Sequence, residues 1–240
     1  MRSKDNNVYV QLQYEGLKLR DHVDASQIKT DRSLENWTLN LFGDLRDQLL
    51  AGGINNWGLT WTAGRVAFDD AAAQLSNGAT VNTQGGFSKW TMNVARLQGL
   101  SSTTTLYLKV AAQGAGSNLD SSQKFALGGL YGVRAYDTGT LSGDTGYLLN
   151  AELRHELGRA WQGQWQALVL FDTGHVVVNK NAWIAGPNGA TLSGAGLGLN
   201  WTGPDQWSVR TTLAVPLGPS AELLSATKSL RAWMEVRRGF

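Results

Sequence analysis

The chain of 240 residues has no cysteine, so no disulfide framework holds it together and the usual structural zinc sites have no thiolate to use. Its three histidines, His22, His155 and His175, are scattered, which leaves no spacing suited to a metal centre. No window approaches about 20 consecutive apolar residues, which excludes a helical membrane span. Charge is scarce: Asp, Glu, Lys and Arg make up 17% of the chain, below the roughly 25% of soluble domains. A net charge of +2, without a basic cluster interleaved with aromatics, argues against a nucleic-acid partner. No nucleophile has a matched base and no carboxylate pair stands out, so neither an enzyme nor a cofactor is expected. The first sixteen residues lack the apolar core of a secretory signal.

Glycine and tryptophan are abundant instead, at 29 and 10 residues, and apolar residues alternate with polar ones over strand-length stretches. Tyr147, Leu149, Ala151, Leu153 and Leu157 share one parity, opposite Asn150, Glu152, Arg154 and Glu156; His155 interrupts the apolar face, as expected near a membrane boundary. Leu149, Leu153 and Leu157 also repeat every four residues, as in a helix, but the neighbouring segments decide for a period of two. Gly163, Trp165, Ala167, Val169 and Phe171 alternate with Gln164, Gln166 and Asp172. Trp207, Val209, Thr211, Leu213 and Val215 oppose Ser208, Arg210 and Thr212; Leu230, Ala232, Met234, Val236 and Phe240 oppose Arg231, Glu235 and Arg237. Trp37, Leu39, Leu41 and Leu45 oppose Asn40, Asp44 and Arg46, and Leu106, Leu108 and Val110 oppose Thr105, Tyr107 and Lys109. Further strands are predicted over 7–21, 56–68, 86–98 and 190–202. About ten strands of this period match an antiparallel transmembrane β-barrel, apolar toward lipid and polar toward a wet lumen. From residue 68 onward, long and short connections alternate, which assigns 98–102, 158–162 and 202–206 as periplasmic turns and the long connections to the cell surface.

Residues 123–144 cannot be a core strand: their glycines, among them the adjacent Gly128 and Gly129, cost backbone entropy and supply nothing to pack. They read as a structured loop, spanning 116–145, in which Arg134 is the only cation between Lys124 and Arg154. The run of Phe125, Leu127, Gly128, Gly129, Val133, Arg134 and Tyr136, followed by Gly143, Asp144 and Gly146, resembles the loop signature of the two-partner secretion transporters. These are outer-membrane barrels of the haemolysin-activator type (TpsB; the ShlB/FhaC/HecB family). Phe171, Asp172 and Gly174 are similar to a strand motif of that family, and Phe240 to its terminal aromatic, an assembly signal. One position departs: Ala135 stands where the family has glycine, and a positive φ there would strain alanine by about 1 kcal/mol or more.

The resemblance implies a pore in the bacterial outer membrane, surrounded by outer-membrane lipid and inserted by the barrel-assembly machinery, that translocates a secreted partner exoprotein of haemolysin or adhesin type. It also implies that the loop folds back into the barrel, where its arginine meets the strand aspartate. The parity of Asp172, shared with Gln164 and Gln166, independently permits that pairing, and a wet lumen predicts a partly solvated pair. Residues 1–240 are then the C-terminal portion of the barrel, with signal peptide, POTRA domains and first barrel strands expected to be absent. Two alternatives remain open on the sequence: a barrel-assembly insertase of the same superfamily, and a soluble β-sandwich that binds glycans through its tryptophans.

Overall fold

Runs of alternating polarity suit strands whose two faces meet different surroundings, and in the computed structural model they pair into one antiparallel sheet. Residues 5–23, 28–219, 221–224 and 228–239 are described. Before the long loop come β1 (Asn6–Val23), β2 (Ile28–Asp47), β3 (Gly53–Phe68), β4 (Gly85–Gly99) and β5 (Thr104–Ala115). Within the loop, the short strands β6 (Phe125–Ala126) and β7 (Ser142–Gly143) pair with each other. After it come β8 (Thr145–Ala160), β9 (Gly163–Val177), β10 (Gly189–Thr202), β11 (Trp207–Pro216) and β12 (Arg231–Arg238). The ten long strands lie in chain order, so β1 and β12 are the edges among the described residues. One continuous sheet carrying a loop on one face is not the two-layer sandwich of the glycan-binding alternative.

Burial is inverted relative to a soluble domain. Val10, Trp37, Leu59, Val169, Leu213 and Met234 are exposed on the outer parity, while Asn36, Thr62, Gln113, Asn150, Glu152 and Asp172 are buried on the inner one. That is the arrangement of a strand with lipid outside and a polar lumen inside. Aromatic rings gather on the outer face near both ends of the strands. Trp161, Trp165 and Trp201 form a chain with centroid separations of 5.7 and 6.5 Å beside the short turns, and Tyr147 meets His175 at 6.3 Å toward the long connections.

The long and short connections alternate as expected from residue 68 onward: 100–103, 161–162 and 203–206 are short, and 69–84, 116–144, 178–188 and 217–230 are long. The first long connection contains a helix that the sequence reading treats as loop, α1 (Ala71–Ala79), N-capped by Asp70 through the Ala73 N–H at 3.0 Å. β8 extends beyond the predicted 147–157 and is bulged between Glu156 and Gly158, so the parity predicted for Leu157 falls at an irregularity. His155 lies near the short-turn end of β8, hydrogen-bonded to Thr104 at 3.0 Å. Phe240 lies outside the described residues.

Two apolar clusters form between the loop connections and the inner face. Leu127, Val133, Ala135, Tyr136 and Leu141 of the loop pack on Leu148, Val176, Leu192 and Ala214 of the strands, and Leu119 packs on Leu34, Val66 and Phe87. Burial of each large apolar side chain stabilises docking by roughly 1.5–3 kcal/mol.

Candidate functional site

The loop supports itself before it touches the sheet. Above the β6–β7 ladder, the Leu127 N–H donates to the Leu141 carbonyl at 2.9 Å, the Val133 N–H to Leu127 at 2.7 Å and the Gly129 N–H to Tyr136 at 3.1 Å. Gly129 has φ +110, which side-chain-bearing residues rarely adopt. At Gly132 a Cβ would sit 2.1 Å from the Leu127 carbonyl oxygen, so the tip closes only around a glycine.

The strands then receive this folded tip. Leu127 is fully buried, and a Cβ on Gly174 of β9 would lie 2.4 Å from its Cδ1. Gly174 is therefore the seat for a loop leucine, a contact that the sequence does not reveal. Phe171, its companion in the strand motif, points the other way and is exposed.

Arg134 is 7% exposed and Asp172 0%, so the pair expected to be partly solvated is enclosed. The guanidinium makes a two-pronged contact, Nε donating to Oδ2 at 2.8 Å and Nη2 to Oδ1 at 2.7 Å, and the Arg134 backbone N–H donates to Oδ2 at 3.1 Å. Asn150 of β8, directly opposite Asp172, donates Nδ2 to Oδ1 at 2.7 Å and to the Gly132 carbonyl at 2.9 Å. A second carboxylate joins: Nη1 of Arg134 pairs with Glu152, whose other oxygen accepts from Arg154 Nε at 2.7 Å. Arg154 in turn lies over the Tyr107 ring at 4.6 Å. Glu152 lies on the inner parity predicted from the sequence, where nothing pairs it with Arg134; the cue available was that parity, two residues from Asn150.

Asp144 is a clasp. Fully buried, it accepts from the Leu119 N–H at 3.1 Å and the Lys180 N–H at 2.7 Å, and forms an ion pair with Lys124 at 2.7 Å. It thereby joins both ends of the loop to the 178–188 connection. Gly143 and Gly146 lie against β9, where a Cβ would meet the Val177 and His175 carbonyl oxygens at 2.3 and 2.6 Å. Asp120 caps a short 3-10 turn (Ser121–Gln123) and holds Arg32 of β2 in an ion pair at 2.5 Å. Burial pushes the Asp120 carboxyl up, but Arg32 and Ser122 outweigh it and hold it below its ordinary value.

Ala135 does not have a positive φ, so the strain anticipated there does not arise. Its methyl is buried against β10 at Gly194, where a Cβ would come within 2.5 Å of it. Below the tip, toward the short turns, a cavity of 440 Å³ is lined by Lys109, Glu152, Arg154, Gln166, Arg210 and Glu235. Among the described residues no group of acidic or histidine side chains could hold a metal ion.

Residues 1–201 match the family described as haemolysin secretion/activation protein ShlB/FhaC/HecB. The heme/hemopexin transporter protein HuxB of Haemophilus influenzae strain 86-028NP is 24% identical over 220 residues, which cover 90% of this chain and 39% of that protein. Among solved structures, CdiB from Escherichia coli aligns with a TM-score of 0.79 at 20% identity, over 98% of this chain and 42% of that one. BamA from Haemophilus ducreyi lacking POTRA domains 1–3 aligns at 0.51 and 10% identity, over 98% and 63%. The chain thus spans about two fifths of the length of the curated relatives it matches.

Proposed function

Since the chain belongs to the ShlB/FhaC/HecB family of haemolysin secretion/activation proteins and is an outer-membrane β-barrel segment, we propose that it is one wall of a larger pore, the C-terminal portion of a transporter that passes a large secreted partner exoprotein by two-partner secretion. No bond is made or broken in this reading, and no nucleotide is used. The exported chain crosses unfolded through the lumen, between polar inner faces such as that of Asn40, Thr60, Gln166 and Asn200. Outer-membrane lipid surrounds the wall, and the barrel-assembly machinery inserts it.

The observation that carries this reading is the buried pairing of Arg134 with Asp172 and Glu152. It fixes a loop of 116–144 against the inner face, where it fills space that an exported chain needs. Transport then requires a switch between this docked loop and a displaced one. The apolar tip and the ion pair both favour the docked state, so the partner has to offer compensating contacts to the loop or the wall.

These 240 residues lack cysteine, so an introduced pair is unique within them. Ala135→Cys with Gly194→Cys joins loop to wall: a Cβ on Gly194 would lie 2.5 Å from that of Ala135, closer than the roughly 3.5–4.5 Å of a disulfide, so the bond forms once the tip has shifted outward by about 1 Å. Oxidised transporter carrying this pair is expected to insert normally and export nothing, with export restored by reductant. Export that continues while the bond is intact would remove the loop switch from the mechanism.

A further inference from the structure

Among the described residues β12 is hydrogen-bonded on one side, to β11, in a register that runs from Trp207 opposite Arg238 to Ala214 opposite Arg231. β1, the other edge among the described residues, has a half ladder of the same kind. Yet every inward side chain along β12 meets the loop. Arg231 pairs with Asp137, and Trp233 Nε1 donates to the Arg134 carbonyl at 2.8 Å. Glu235 accepts from the Tyr131 hydroxyl at 2.9 Å, and Arg237 donates to the same hydroxyl at 3.1 Å while bridging Glu235 at 2.6 Å.

These groups are not interchangeable. A two-residue slide of β12 along β11 would set the Glu235 carboxylate, an acceptor, against the Arg134 carbonyl, another acceptor, or bring Arg231 there and leave Asp137 without its cation. A one-residue slide would turn all of them outward. The loop thus matches a single register of β12, and it does so through Tyr131 and Asp137, which lie outside the loop signature.

We propose that β12 is the second anchor of the loop and that the docked loop sets the register of this edge strand. Arg134 stands at the junction. Its side chain holds β8 and β9, and its carbonyl holds β12. In lipid both sides of a spanning strand have to be paired, so the loop couples the buried Arg134 site to the strand at the margin of the described sheet.

The test is hydrogen exchange on the complete, membrane-inserted transporter. Tyr131→Phe combined with Asp137→Asn leaves both carboxylate partners of Arg134 intact. It is expected to speed exchange of the 231–238 amides about tenfold while β9 and β10 keep their protection. Trp233→Phe, which removes the indole N–H and narrows the ring while keeping it aromatic, is expected to speed exchange in 123–144. Unchanged exchange over 231–238 in the first variant, or unchanged loop exchange in the second, would overturn the proposal. Export is not the readout, so failure here leaves the secretion reading untouched.

Discussion

Asp172 binds Arg134 twice over, accepting from its guanidinium at 2.8 and 2.7 Å and from its backbone N–H at 3.1 Å. One fully buried carboxylate thus reads both the identity of the side chain and the path of the loop backbone. Displacing the loop, as the proposed switch requires, would break all three of these bonds at once, so release needs a driving contact.

Arg134→Ala and Asp172→Ala are each expected to destabilise docking by about 3–5 kcal/mol, because the surviving partner stays buried without compensation. In the complete transporter each should impair export, and the double mutant should be little worse than either single change. Arg134→Lys keeps the charge but loses the fork, and should rescue poorly. Secretion assays arranged as a double-mutant cycle measure this, and additive losses would show that the two residues act separately.

Glu152→Gln removes one of the two carboxylates on Arg134 and leaves the two-pronged contact with Asp172 in place. Its effect on export should fall clearly below that of Asp172→Ala. Protease resistance of the loop in the same membranes should follow the same order.

Gly132→Ala places a Cβ 2.1 Å from the Leu127 carbonyl oxygen, and Gly174→Ala places one 2.4 Å from Leu127 Cδ1. Each should cost about 1–3 kcal/mol through overpacking and loosen the loop tip. Gly16→Ala, with nothing within 4 Å, is the control and should be silent in thermal unfolding of the inserted barrel.

Asp144→Ala strands the buried N–H of Leu119, releases that of Lys180 and removes the counter-ion of Lys124, which keeps the Val178 carbonyl and Asn179 as acceptors. An unsatisfied buried donor costs about 1–3 kcal/mol, so 116–124 and 178–188 should become cleavable together by protease added outside the cell. Cleavage of only one of them would show that the clasp does not join them.

Asp120 titrates below its ordinary value in the folded protein, so its contribution is present above the unfolded carboxyl pKa and is lost as pH falls through the folded one. Cleavage within 116–123 by an acid-tolerant protease should therefore increase as pH drops below about 4. Asp120→Asn should raise cleavage at neutral pH and flatten the dependence. A variant that keeps the wild-type pH profile would place the acid sensitivity elsewhere.

The sequence by itself determined what depends on period and parity. Alternation in Gly163–Asp172 or Trp207–Val215 is a local property, since a strand repeats every two residues wherever it lies. It therefore yielded the strands, their outer and inner faces, the alternating connections and the inward aim of Asp172. Glycine-rich 123–144 was legible as a loop because glycine disfavours a strand interior, and the family resemblance supplied Arg134 as its key. Only the tertiary structure decided which inward residues meet. Glu152 joins Arg134, Gly174 seats Leu127, Asp144 reaches Lys180 and Trp233 reaches the Arg134 carbonyl because of the stagger between strands and the depth to which the loop descends. That depth also removed water from the Arg134 pair, reversing the expectation of a solvated contact. Parity says which way a side chain points, but not how far along the neighbouring strand its partner sits, and that offset exists only once all the ladders have formed together.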